Sequence, residues 1–150
     1  AGYSLVSSAI RNEMRLISIV LGTASSKARI DGSQALLNYG YRFFSTETLF
    51  RANEEIINAK TWKAENDSTS IGIGDDLTIT LPKGASKRLV YENNLPDTIE
   101  GPIISKQKIG SVSIKLDGET INTVPLVALE DNPGGGLLKQ IQDTIQLWFE

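Results

Sequence analysis

The period of the apolar positions changes along the chain, and the changes mark its parts. "YSLVSSAI", from Tyr3, and "EMRLISIVL", from Glu13, are β-rich runs meeting at the polar "RNE". They predict an antiparallel hairpin. The second run is apolar from Leu16 to Leu21 except at Ser18, which predicts a strand covered on both faces. After the loop "GTASS", Ser25 or Ser26 is the expected N-cap of a helix. Leu36, Tyr39, Gly40 and Phe43 recur at helical spacing, so the aromatic residues there are expected in the core. Gly32 and Gly40 either weaken this helix or permit close packing.

From about residue 46 to residue 130 the period falls to two. "LTITL" places Leu77, Ile79 and Leu81 on one face, and "SVSIKL" does the same with Val112, Ile114 and Leu116. Asp117-Gly118 is a strong hairpin signal, because a type I′ turn needs positive φ at both central residues. Pro125, inside "TVPLVAL", predicts an edge strand or a bulge. Turn clusters recur at "NDSTS", "LPKGAS" and "NNLPD", so a small antiparallel sandwich or barrel is expected.

Residues 131–150 differ again. "EDNPGGG" predicts a flexible linker. Beyond it Leu137, Ile141, Ile145 and Trp148 share a stripe, with Leu138 and Phe149 beside it and Lys139, Gln142, Asp143 and Gln146 on the polar side. Such an amphipathic helix either packs back on its own domain or lies on a membrane surface. Trp148 and Phe149 favour the membrane; the lack of a basic polar face counts against it.

Composition narrows the chemistry. A net charge of −3 argues against a nucleic-acid partner. There is no cysteine and no histidine, which excludes a Ser-His-Asp triad, a histidine zinc site and thiol catalysis; no cofactor is expected. No apolar run approaches the ~20 residues of a membrane-spanning helix. No secretory leader is read at the start, and a chain that opens inside a strand is expected to be part of something longer.

Four places carry candidate chemistry. In "RLISIVLGTASSKAR", Lys27 and Arg29 fall in the first turn of the predicted helix, where the macrodipole already favours anions over cations. Either an anion binds there, or the cations are solvated surface groups. "SKQK", Ser105 to Lys108, has the Ser-x-x-Lys spacing of an activated serine, but its surroundings are strand-like, and positions three apart on a strand point to opposite faces. "YEN", Tyr91 to Asn93, lies in a turn-rich region and is read as chance. Asp75 and Asp76 could touch a hard cation, but two adjacent carboxylates in a turn are usually just solvated.

"AGYSLVSSA", "MRLISIVLG", "SKAR", "LLNYGYRFF", "LTITLPKG", "GSVSIKLDGETI" and "VPLVALED" together, in this order, resemble the C-terminal part of the low-molecular-weight penicillin-binding proteins. These are the serine-type D-alanyl-D-alanine carboxypeptidases. The resemblance spans essentially the whole chain. It implies an α+β fragment followed by an all-β part. Residues 1–45 would be the last hairpin and helix of a penicillin-binding, β-lactamase-like domain. Residues 46–130 would be a small antiparallel β-sandwich. Residues 131–150 would be a linker and membrane-anchor helix carrying Leu137, Leu138, Ile141, Ile145, Trp148 and Phe149.

The family reaction removes the terminal D-alanine of a peptidoglycan stem peptide through an acyl-serine, which β-lactams also form. The serine with its lysine, the Ser-x-Asn motif and the Lys-Thr-Gly strand all lie upstream of the equivalent of Ala1, so the fragment itself is expected to be inactive. Arg29 matches a family arginine that holds the substrate's terminal carboxylate, and is therefore the expected substrate-binding residue, with Lys27 peripheral. The parent's partners would be the stem peptide, β-lactams and the outer face of the cytoplasmic membrane, in the periplasm. With most neighbours of its first strands missing, the fragment is expected either to be poorly ordered over residues 1–45 or to pair as a symmetric homodimer. The alternative is a stand-alone β-sandwich interaction or spacer module near the membrane.

Overall fold

The computed structural model describes residues 2–147. In chain order these form β1 (Tyr3–Arg11), β2 (Met14–Thr23), α1 (Ser26–Phe43), β3 (Phe44–Phe50), β4 (Glu55–Lys60), β5 (Ser68–Gly72), β6 (Leu77–Pro82), a 3₁₀ turn (Ala85–Arg88), β7 (Leu89–Asn94), β8 (Lys108–Leu116), β9 (Glu119–Ala128) and α2 (Leu137–Leu147). The described residues are thus mostly β, with antiparallel sheets and two helices. Contacts divide the chain into two compact units: residues 1–47 with 78–87, and residues 48–77 with 88–150.

The first unit is built on the predicted hairpin. Asn12 and Glu13 both take positive φ, 49° and 64°, as a type I′ connection requires. Pairing is antiparallel from Arg11↔Met14 to Tyr3↔Thr23. Helix α1 covers one face only. Ser25 is its N-cap, accepting the Ala28 N–H at 3.1 Å. Between helix and hairpin the Oγ atoms of Ser7, Ser18 and Ser33 form a closed triangle, with separations of 2.9, 2.5 and 2.5 Å. Three hydroxyls in a ring can each donate once and accept once, so Ser18 and Ser33 are buried at no hydrogen-bonding cost. Gly40 lets the helix approach: a Cβ there would sit 2.4 Å from Leu16 Cδ1.

Two sequence expectations are corrected here. Strand β2 is not covered on both faces. Met14 and Ser18 face the helix and are buried, whereas Ile17, Ile19 and Leu21 are 60–71% exposed on the other side, beside Val6 and Ile10 of β1. Nor are Leu36, Tyr39 and Phe43 core; all three are exposed, and the rings of Tyr39 and Phe43 lie tilted against each other with centroids 4.7 Å apart. A two-stranded hairpin is narrower than the apolar arc of α1, so only the side carrying Ser33, Gly40 and Tyr41 is covered.

The second unit centres on a five-stranded antiparallel sheet ordered β4-β5-β9-β8-β7. The β8–β9 hairpin turns at Asp117 and Gly118, both at positive φ, 54° and 90°, as the sequence predicts. Pro125 pairs opposite Ser111 of β8. Strand β5 reaches β9 only at Val127 and Ala128, so β9 is edge-like at the proline, where no ladder donor is needed. Ile71, Val112, Ile114 and Leu126 are fully buried, each contributing roughly 1.5–3 kcal/mol of transfer free energy. The core that holds Ile71, Val112 and Leu126 is completed by Phe50, Leu77 and the irregular residues Ile99 and Ile103.

Residues 131–136 are not the flexible linker the glycines predict. The Asn132 side chain, 1% exposed, donates to Asn66 O and Thr69 Oγ1 and accepts the Asn66 N–H, each at 3.0 Å. Glu65 N donates to Pro133 O at 2.7 Å, and Gly135 N to Lys63 O at 2.8 Å. A Cβ on Gly135 would lie 2.8 Å from Ala64 O. The glycine serves close packing here.

Candidate functional site

Helix α2 begins where that pinned segment ends, and it docks by its polar side. Asp143 is 6% exposed, and its Oδ2 accepts the backbone N–H of Lys63 at 2.7 Å. Lys63 sits at φ 57° in the bend after β4, which turns its N–H out of the ladder and toward the helix. Lys139, one turn before Asp143, is ion-paired with Asp67 and lies 3.7 Å from Asp143. The hydrogen bond from Lys139 holds the Asp67 carboxyl below its ordinary 3.8; the same bond holds Lys139 above its ordinary 10.5. Gln140 Nε2 closes the first turn onto Gly135 O at 2.7 Å.

With the polar side inward, the apolar stripe faces out. Leu137 and Leu138 are 80% and 86% exposed, Ile141 and Ile145 59% and 55%. Solvated apolar side chains on a helix whose carboxylate is buried invert the usual soluble arrangement. An outward apolar stripe is one feature of an interfacial helix. No helix among the described residues is long and apolar enough to cross a membrane. Trp148 and Phe149, the remaining predicted anchor residues, lie outside the described residues.

Arg29 lies at the N-terminal end of α1, whose first turn has no acidic residue. Its Nη1 donates to Ser4 O at 3.0 Å and its Nη2 to Ser26 Oγ at 3.3 Å. The guanidinium carbon is 5.6 Å from the centre of the Tyr3 ring. Nε is buried and has no hydrogen-bond partner among the described residues. Thr23 Oγ1, which hydrogen-bonds Tyr3 O at 3.1 Å, fixes the strand ends beside it. Among the described residues two of five guanidinium donors are thus used, and the group stands at a helix end that already favours an anion. Lys27 is committed elsewhere, to Asp31 at 2.6 Å, and is solvated.

The discarded serine candidate is disposed of by geometry. Ser105 lies in a turn, with Oγ on Leu129 O at 3.2 Å, while Lys108 opens β8. Tyr91 belongs to strand β7 rather than to a turn, and its ring packs edge-on against Phe50 at 5.2 Å. Sequence reasoning missed the docking role of Asp143, because its partner is a main-chain N–H 80 residues away. The one available signal was a carboxylate four residues after Lys139, on the side opposite the apolar stripe.

Residues 44–133 match the family model described as penicillin-binding protein 5, C-terminal domain. The chain is 37% identical over 150 residues to D-alanyl-D-alanine carboxypeptidase DacA of Escherichia coli (strain K12), covering 99% of this chain and 37% of that protein. It is 34% identical to the Haemophilus influenzae DacA, covering 98% of this chain and 38% of that one. The chain therefore spans little more than a third of these relatives' length. Among solved structures, penicillin binding protein 5 from Haemophilus influenzae superposes with a TM-score of 0.78 at 33% identity, over 89% of this chain and 39% of that one.

Proposed function

This chain belongs to the family of the penicillin-binding protein 5 C-terminal domain, and on that premise we propose that it is the C-terminal portion of a D-alanyl-D-alanine carboxypeptidase held on a membrane surface. Residues 1–45 complete one wall of the catalytic domain, 46–130 form a β-rich stand, and 131–150 carry the anchor. The observation that carries the membrane reading is the outward apolar stripe of a helix docked through a buried Asp143. The protein would work outside the cytoplasmic membrane, trimming D-alanine from stem peptides and reacting with β-lactams through a serine supplied by the longer polypeptide.

Within that reaction Arg29 pairs with the substrate's terminal carboxylate. Its unpartnered Nε and the acid-free helix end support this role, since guanidinium and carboxylate form a two-pronged pair. The exposed face of Val6, Ile10, Ile17, Ile19 and Leu21 fits burial against the rest of that domain.

The test uses the chain alone and the longer polypeptide that contains it. Fluorescent penicillin is expected to label the longer polypeptide covalently and to leave residues 1–150 unlabelled. Replacing Arg29 by Ala in the longer polypeptide removes a charged hydrogen bond worth about 1.5–3 kcal/mol, so kcat/KM for a D-Ala-D-Ala peptide should fall about 10- to 150-fold. Labelling of the isolated chain would overturn the assignment of the nucleophile. An unchanged kcat/KM would remove Arg29 from the site.

A further inference from the structure

At the opposite end of β1 from Arg29, a pocket of about 110 Å³ opens beside the hairpin turn. Among the described residues its charged lining is Arg11 and Lys83; Asn12, Ser45 and Thr46 supply polar groups, Met14 and Phe44 the apolar walls. We propose that this pocket binds a small oxyanion, of phosphate or carboxylate type, between Arg11 and Lys83.

Tyr41 organises the site. Arg11 lies over its ring, the guanidinium carbon 4.6 Å from the ring centre. Lys83 Nζ donates to its carbonyl at 2.8 Å, and the Lys83 N–H holds Phe43 O at 2.9 Å. Both cations are therefore positioned by one residue near the C-terminal end of α1. Lys83 partly answers the negative end of the helix dipole, but its ammonium has two further donors. Arg11 has no such explanation: its guanidinium makes no hydrogen bond or ion pair among the described residues, and stacking leaves its N–H edge free for a planar, two-pronged acceptor.

The second observation is Tyr41 itself. The residue is 8% exposed, it lines the pocket, and its hydroxyl is buried without a hydrogen-bond partner among the described residues. Buried hydroxyls nearly always have one. An oxyanion in the pocket would accept from this hydroxyl and from both cations at once. Among the described residues no carboxylate lines the pocket: Glu13, between the lining residues Asn12 and Met14, is exposed, and Glu47, next to Thr46, accepts from Ser45 Oγ at 3.2 Å. The volume is about four times a water molecule's share of the liquid. That admits a phosphate or a terminal carboxylate.

The test is a titration of the 150-residue chain with inorganic phosphate, and in parallel with acetate, at constant ionic strength set with chloride. Backbone amide resonances of Asn12, Ser45, Thr46 and Lys83 report binding. The expected result is saturable shifts at these positions, with affinity lowered at least ~10-fold in Arg11→Gln and in Lys83→Gln, as charge-assisted pairs are lost. Tyr41→Phe keeps the ring under Arg11 and should weaken binding severalfold. Tighter phosphate points to a phosphorylated ligand, tighter acetate to a peptide or metabolite carboxylate; both support an oxyanion site. Shifts that fail to saturate with either anion, or that persist unchanged in Arg11→Gln while the rest of the spectrum shows an intact fold, would overturn the proposal.

Discussion

Replacing Asp143 by Ala isolates the interaction that holds the terminal helix. The wild-type carboxylate is 6% exposed, accepts the Lys63 N–H at 2.7 Å and lies 3.7 Å from the Lys139 ammonium. Truncation deletes a charged hydrogen bond and leaves the Lys63 N–H without its acceptor, at a cost of about 1.5–3 kcal/mol. Little else resists undocking. A groove of about 820 Å³ lies beside the helix, lined by Trp62, Leu138, Gln142 and Gln146. The Lys139–Asp67 pair has Asp67 89% exposed, so solvent screens most of its value. A helix of eleven residues is marginal by itself, so undocking and unwinding should go together. The cost converts to an increase of about 10- to 150-fold in the open population. Amide hydrogen exchange across α2 and at Lys63 measures it directly. Asp143→Asn keeps an acceptor oxygen and loses the charge, and should fall between wild type and Ala. If α2 and Lys63 exchange at wild-type rates in Asp143→Ala, the helix is held by something else and the docking argument is wrong.

Two further outcomes can be measured. Asp67 is held below its ordinary 3.8, so its contribution is present above that value and is lost as pH falls through the lowered one; Lys139 is held above 10.5, so its contribution is lost only as pH rises past that value. Exchange of α2 should therefore be insensitive to this pair from about pH 4 to 10 and should rise slightly in stronger acid, after correction for intrinsic exchange; acid-induced loosening that persists unchanged in Asp67→Asn would rule the pair out as its cause. The second outcome concerns the exposed face of Val6, Ile10, Ile17, Ile19 and Leu21: light scattering should show concentration-dependent pairing of residues 1–150 and none for residues 46–150, and two monomers with strongly protected hairpin amides would contradict it.

Much of this structure is legible in local sequence. Asp117-Gly118 turns as its type demands, Ser25 caps α1, and the alternation in β6 and β8 puts Leu81, Val112 and Ile114 inside. These features depend on neighbours a few residues away. What failed depends on distant partners. Tyr39 and Phe43 carry a helical pattern, but whether a surface covers them is decided by the width of the hairpin. The glycines before α2 have a linker's composition, yet Gly135 is fixed by Ala64 and Lys63, some 70 residues earlier. The orientation of α2 could not be read from its own stripe, because either side of an amphipathic helix can face the body. The buried partner of Asp143 decides it.

Vesicle co-sedimentation tests the membrane assignment most directly. The exposed side chains of Leu137, Leu138, Ile141 and Ile145 could each contribute up to about 1.5–3 kcal/mol if fully buried, and less at an interface. Lys139 is the one cation from residue 137 onward, against Asp143 and Glu150, so anionic lipid should matter little. Residues 1–150 are expected to sediment with neutral phosphatidylcholine vesicles, to do so nearly as well with added anionic lipid, and to stay in the supernatant when Ile141 and Ile145 are both replaced by Asp or when residues 136–150 are deleted. Sedimentation that is unaffected by those changes would contradict the account.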